Sequence, residues 1–327
     1  MEQNDDDLKQ IELGKKTKQL IMIMRPTNFD FNSEASQDNH YMERKDIDKE
    51  TINKNAIEEH NNFEKILRDN NIPIKVFEQT NPQAYDSLFI SDPLMCIKNK
   101  DFPKGLIVIS PMYWKSRQLE KYPHIIKWLQ EKLGYETVLD LSYFEKEGKA
   151  LEGKGATIFD WDSRTIYAGV ATRSHRDVVQ TLADKMSEIS GQKYEAYFID
   201  TYDEKIKREQ YHTSAYLVVY SKCAVLCPEC IRTKEQVDDI VNRLQSTGKK
   251  VFLCSYKEME DGATLGVEFW REDGSNGLLI GDFDTPTEQR NVEFYKENFN
   301  EVIWIKADTI FNIGGGAVEC LCQTCPL

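Results

Sequence analysis

The stretch FDWDSRT, residues 159–165, decides what kind of sheet this chain can build. The apolar runs on either side of it, ATIFD (156–160) and TIYAGV (165–170), read as two strands separated only by turn-forming residues. Strands joined by so short a corner must run antiparallel, because a parallel return needs a crossover of about a dozen residues or more. A second corner of this kind, YSKCAV, lies at 220–225. The chain therefore cannot be a purely parallel α/β sheet.

Further short β-rich runs extend outward from that hairpin: QLIMIM (19–24), IPIKVF (72–77), DSLFI (86–90), GLIVIS (105–110), AYLVVY (215–220), KVFLC (250–254), GLLIG (277–281) and VIWI (302–305). Helical periodicity fills the intervals. Residues 54–69 place Ala56, Phe63, Ile66 and Leu67 on one face, and 119–133 do the same with Ile125, Trp128, Leu129 and Leu133. Further helices are predicted at 175–189, 234–246 and 286–298. The recurring order of strand, helix, strand and hairpin predicts a mixed α/β chain of similar modules. No Pro/Gly/Ser-rich linker cuts it, so one domain is expected over residues 19–327.

The chain has 327 residues and a net charge of -13, spread along its length. A surface that tracks phosphates is not expected from that balance, which argues against nucleic acid. Residues 1–18, MEQNDDDLKQIELGKKTK, are polar and are expected to form a flexible tail. No apolar stretch approaches the roughly 18 residues of a membrane span. Eight cysteines without a secretory leader read as reduced thiols, so a cytoplasmic protein is expected.

Three short motifs, each weak alone, LEGKG (151–155), YHT (211–213) and GGGAVEC (314–320), together resemble those of enzymes that attack guanidino groups. A guanidinium carbon is a poor electrophile, because its positive charge is spread over three nitrogens. A site that attacks it needs carboxylates to hold the planar cation and an ionisable nucleophile. It also needs one acid/base group able to protonate a leaving amine and then deprotonate the later nucleophile. On that resemblance, Cys320 after the glycine run, His212 and Glu152 would offer the nucleophile, the acid/base and an orienting carboxylate.

In this order, and together with MRPTNFDFN (24–32), the motifs resemble the guanidino-group-modifying enzymes: amidinotransferases, arginine deiminases and dimethylarginine dimethylaminohydrolases. The likeness is strongest to their uncharacterised amidinotransferase-like branch, and it runs from about residue 19 to 322. It implies a pentein fold, a five-bladed α/β-propeller of ββαβ-like modules. It implies Cys320 as nucleophile, His212 as general acid/base and Glu152 as its companion. Asp92 in DSLFISDP, with Asp86 as a second candidate, would grip the guanidinium. Arg173 in ATRS and Arg117 in PMYWKSRQLE would hold a substrate carboxylate.

The implied reaction is hydrolysis of, or amidino transfer from, an arginine-like compound through a covalent S-amidino intermediate, without metal or organic cofactor. The partner is then a small guanidino molecule, and the sequence leaves a homodimer open. The chain departs from the branch at Ala317, Val318 and Glu319, where GGGSARC is usual, and an anion beside a thiol raises its pKa. Ser214 stands where Asn follows His-Thr, Ala171 replaces the Ser of S-x-R-T, and GATLGVEF (262–269) lacks an expected Asn. Two other readings stand beside this one. A degenerate member would bind without turnover. A zinc-stabilised module would use Cys223, Cys227 and Cys230 with Cys320, Cys322 and Cys325, whose C-x2-C pairs have knuckle spacing.

Overall fold

The computed structural model describes residues 2–283 and 288–327, with side chains from residue 5 onward. Its strands form five sheets of three. In chain order they are β1 (Gln19–Arg25), β2 (Ile74–Glu78), β3 (Leu94–Ile97), β4 (Leu106–Ile109), β5 (Thr137–Asp140), β6 (Ile158–Asp160), β7 (Thr165–Gly169), β8 (Glu195–Ile199), β9 (Leu217–Val219), β10 (Cys223–Leu226), β11 (Lys250–Leu253), β12 (Val267–Trp270), β13 (Asn276–Gly281), β14 (Glu301–Ile305) and β15 (Gln323–Pro326). Each sheet repeats one plan. A first strand pairs antiparallel with a second, and the second pairs parallel with a third: β3-β4-β5, β6-β7-β8, β9-β10-β11, β12-β13-β14 and β15-β1-β2. A helix links the second strand to the third in every sheet, spanning Lys49–Asp69, Pro123–Leu133, Arg176–Ser190, Lys234–Ser246 or Gln289–Asn298. These are the ββαβ modules of a five-bladed α/β-propeller, and both hairpin corners read from the sequence join first to second strands.

The fifteenth strand closes the ring. It comes from the C-terminus but supplies the first strand of the module that β1 and β2 begin, with Gln19 opposite Pro326 and Met22 opposite Gln323. The middle strands are the most buried: Leu20, Ile21, Met22, Ile23 and Met24 of β1 are all fully buried. At about 1.5–3 kcal/mol per buried apolar side chain, such strands anchor each blade. The five first strands face inward and surround an axial channel of about 640 Å³, lined from β3, β6, β9, β12 and β15.

Several expectations are corrected. Residues 2–17, expected to be a flexible tail, form a helix, Glu2–Thr17, packed on the first blade. Its Ile11 is buried, and Asp7 binds the nearly buried Lys75 ammonium at 2.7 Å. One apolar anchor and one acid placed to meet a buried cation are too weak a pattern to show against the surrounding charge. DSLFI (86–90) is a turn rather than a strand. The strand read at AYLVVY (215–220) begins only at Leu217, after a single 3₁₀ turn, Thr213–Ala215. Residues 286 and 287 of the fifth predicted helix, like Met1, lie outside the described residues.

Candidate active site

Each residue assigned a chemical role stands just ahead of an inner strand. Asp92 precedes β3 by two residues. Glu152 is the residue before a one-turn helix, Gly153–Ala156, that leads into β6. His212 stands before the 3₁₀ turn that leads into β9, and Cys320 lies in the one-turn helix Val318–Leu321 ahead of β15. The five modules repeat one topology, so the starts of their inner strands gather at one mouth of the channel. Four of the five blades contribute there.

The contacts within this cluster are short. His212 Nε2 lies 3.1 Å from Glu152 Oε2. Ligand atoms of Asp92, Glu152 and His212 all fall within 4.8 Å of one another. Gly155 permits this packing, since a Cβ there would come within 2.5 Å of His212 Nδ1 and 3.0 Å of Asp92 Oδ1. The threonine of the YHT motif fixes the histidine from behind. Its hydroxyl donates to the Ala156 carbonyl at 2.8 Å and accepts from Gly169 N–H at 2.9 Å, tying together the two blades that carry Glu152 and His212.

Two buried guanidinium groups neutralise the carboxylates. Arg117 Nη1 lies 3.0 Å from Asp92 Oδ2 and 3.5 Å from Glu152 Oε2, and its Nε is 3.9 Å from Asp86 Oδ2. Glu120 takes the other side of Arg117 in a bidentate pair, both bonds 2.8 Å. Arg173 Nη1 lies 3.2 Å from Glu152 Oε2, while its Nε donates to Asp38 at 2.9 Å and its Nη2 to the Ala35 carbonyl. Both arginines, expected to hold a substrate carboxylate, are thus already paired with acids of the protein.

Burial alone would raise the Glu152 carboxyl. Arg173, the His212 hydrogen bond and Arg117 outweigh it and hold Glu152 ionised well below the usual range. Glu120 goes the other way: burial pushes it up to about 8, despite Arg117. Asp86 is raised as well, again by burial, with Arg117 and the Asn32 hydrogen bond opposing.

Cys320 joins the cluster through its backbone, its carbonyl accepting from Ser91 N–H at 3.3 Å, one residue before Asp92. Its thiol lies 3.6 Å from Glu319 Oε2. Burial first, then Glu319 and Asp92, push the thiol well above its ordinary pKa. The glycine run ahead of it has a packing reason. Gly315 has φ +62°, and a Cβ on it would meet the Asn39 amide at 2.6 Å, while Gly314 and Gly316 both face the Phe89 ring.

The cysteine-cluster reading is not supported by this geometry. All eight cysteines are buried thiols. Cys223, Cys227 and Cys230 sit in the core around β9 to β11, Cys320 and Cys322 in the core beneath Phe29 and Phe89, and Cys325 in a third. The two runs belong to different blades, so their knuckle-like spacing does not converge. Among the described residues, the group of three ligand-type side chains close enough for a metal is Asp92, Glu152 and His212, whose charge two arginines already balance.

The family model described as "N,N dimethylarginine dimethylhydrolase, eukaryotic" matches residues 25–325. The chain belongs to this family. Solved structures of the same fold include ArgZ, an arginine dihydrolase from cyanobacteria, with TM-score 0.70 and 19% identity over 94% of this chain and 40% of that one. Its separate N-terminal domain aligns over 97% of its length, so the chain spans the part of a longer relative that this N-terminal domain forms. The dimethylarginine dimethylaminohydrolase of Pseudomonas aeruginosa, complexed with citrulline, aligns at TM-score 0.63 and 14% identity over 93% of this chain and 98% of that one. The C. jejuni agmatine deiminase aligns at 0.56 and 14% over 94% and 93%. At these identities the likeness establishes the pentein fold. No curated protein sequence matches significantly.

Within the family frame, the remaining motif letters acquire contacts. Asn32, at the end of MRPTNFDFN, donates to Asp86 at 2.8 Å and to Ser116 at 3.0 Å. Glu120 is the acid that closes PMYWKSRQLE on Arg117. The site contacts that sequence reasoning missed come from Asp38, Trp114 and Tyr211. Trp114 Nε1 donates to Asp38 at 2.9 Å, and the Tyr211 ring stacks on the Arg173 guanidinium, 4.5 Å from its centroid. Tyr211 lay within a quoted motif. Asp38 sits in a loop with no pattern of its own and offered no signal.

Proposed function

We infer that the protein hydrolyses a C–N bond of a guanidino compound with Cys320 as nucleophile. One observation carries this reading. The cluster already grips a guanidinium, that of Arg117, between Asp92 and Glu152, beside the His212 acid/base pair and the Cys320 turn. A substrate guanidinium entering there meets two planar acceptors and a thiol. Thiolate attack on the central carbon gives a tetrahedral adduct. The departing nitrogen takes a proton from His212, leaving an S-amidino enzyme. His212, now neutral and oriented by Glu152, takes a proton from water, whose oxygen attacks the same carbon, and the C–S bond breaks to return the thiolate.

A substrate carboxylate would reach Arg173 by displacing Asp38. The relatives named above act on dimethylarginine, arginine and agmatine, which bracket the substrate class proposed here. Hydrolysis is favoured over amidino transfer because the matched family is named for hydrolysis. Eight unpaired buried thiols fit a reducing compartment such as the cytoplasm, and among the described residues no helix is long and apolar enough to cross a membrane.

The test is a panel of arginine, methylated arginines and agmatine, with release of ureido product and of ammonia or amine measured. Turnover of at least one, lost in Cys320→Ser, is the expected result. A folded protein that turns over none of them would support the binding-only alternative.

A further inference from the structure

Glu319, with Ala317 and Val318, sets this chain apart from the GGGSARC pattern, and the structure gives it two neighbours that matter. On one side its Oε2 is 3.6 Å from Cys320 Sγ. On the other it lines the axial channel with Lys154 and Ser214, whereas Cys320, His212 and Glu152 do not. The carboxylate therefore stands between the buried nucleophile and the channel. His212 Nε2 is committed to Glu152. Among the described residues, no other carboxylate hydrogen-bonds the thiol.

We propose that Glu319 is the proton acceptor of the Cys320 thiol and hands that proton to the axial channel, which His212 does not line. The proposal rests on the hydrolase reading and assigns it a second base. The S–H bond breaks with its electron pair left on sulfur, and an O–H bond forms on Glu319. Thiol plus carboxylate becomes thiolate plus carboxylic acid, so the buried site keeps its net charge and no ion is desolvated. His212 then remains free to protonate the leaving nitrogen. When the C–S bond breaks, its electron pair returns to sulfur and Glu319 or the channel returns the proton.

The groups facing this pair are consistent with such a transfer. Lys154, Asp92 and His212 face Glu319, while Asp92 and Arg117 face Cys320. Tyr211 and Cys322 feel Cys320 and Glu319 respectively. Burial raises Glu319 above an ordinary glutamate, making it a stronger base.

The alternative is that Glu319 only repels negative charge on sulfur, and the two roles give opposite signs in Glu319→Gln. Cys320 alkylation by the neutral reagent iodoacetamide, located by peptide mass, reads the thiolate without any guanidino turnover. If Glu319 is the base, Glu319→Gln slows both alkylation and turnover at neutral pH by about 100-fold, and Glu319→Asp recovers part of the loss. If it only repels, removing the charge lowers the thiol pKa and both rates stay level or rise, which overturns the proposal. The wild type alone gives a second reading should the Gln variant not fold. Its alkylation rate should level off above the Glu319 titration, and a rate that climbs steadily to alkaline pH contradicts the proposal. Slowed alkylation in a protein with no guanidino turnover would leave Glu319 as the base while removing the hydrolase reading. Normal turnover in Glu319→Gln would do the reverse.

Discussion

At the residue scale, chemistry and packing meet at Gly155. An added methyl there would press on His212 Nδ1 and Asp92 Oδ1. Gly155→Ala should cost about 1–3 kcal/mol in stability through overpacking and lower kcat by well over tenfold, as measured by thermal unfolding alongside ureido-product release. Glu120 makes a different prediction. Its folded pKa of about 8 lies above the usual carboxylate value of about 4.3. The stability due to its bound proton is thus complete below about pH 4.3 and lost as pH rises through about 8. Glu152, held low, acts only on the acid side of that window. Urea unfolding should show Glu120→Gln losing less stability than the wild type between pH 5 and pH 8.5. The candidate site residues Cys320, His212, Glu152 and Asp92 were legible because each sits in a short motif. Their mutual charge balance was not: nothing in the spacing of Arg117 or Arg173 shows that the protein's own acids would claim both guanidinium groups.

At the element scale, the middle strands were the most legible. Middle strands such as β1, β4 and β13 are covered on both faces, so they read as unbroken apolar runs such as QLIMIM and GLIVIS. Outer strands β5 and β8 are half exposed and carry Thr137, Asp140 and Glu195, and neither was predicted. DSLFI misled because its apolar residues serve a buried turn, where Phe89 packs on Gly314 and Gly316. The N-terminal helix was hidden because it docks with few apolar side chains and largely through polar contacts, among them the Asp7–Lys75 and Asp6–Arg68 pairs. Asp7→Ala leaves the Lys75 ammonium without its partner in a site only 10% exposed. The expected cost is about 2 kcal/mol, below that of a fully buried pair, read as a lower denaturant midpoint. An unchanged midpoint would mean the helix contributes little to the first blade.

For the whole molecule, the sequence showed recurring modules but could not show their closure. The reason is that β15 and β1, which form one sheet, stand at opposite ends of the chain and share no local pattern. Closure is what places Cys320, three residues before β15, at the same mouth as Asp92, Glu152 and His212. The central claim is that this convergence makes Cys320 a nucleophile toward a guanidino carbon. Its most direct test is the intact mass of the protein, acid-quenched during turnover of the best substrate in the panel and mapped by peptide. The account predicts an amidino-type adduct on Cys320 that accumulates during turnover and is absent in Cys320→Ser, which should stay folded with a near-normal melting point. Wild-type turnover with no adduct, together with an active Cys320→Ser protein, would contradict it.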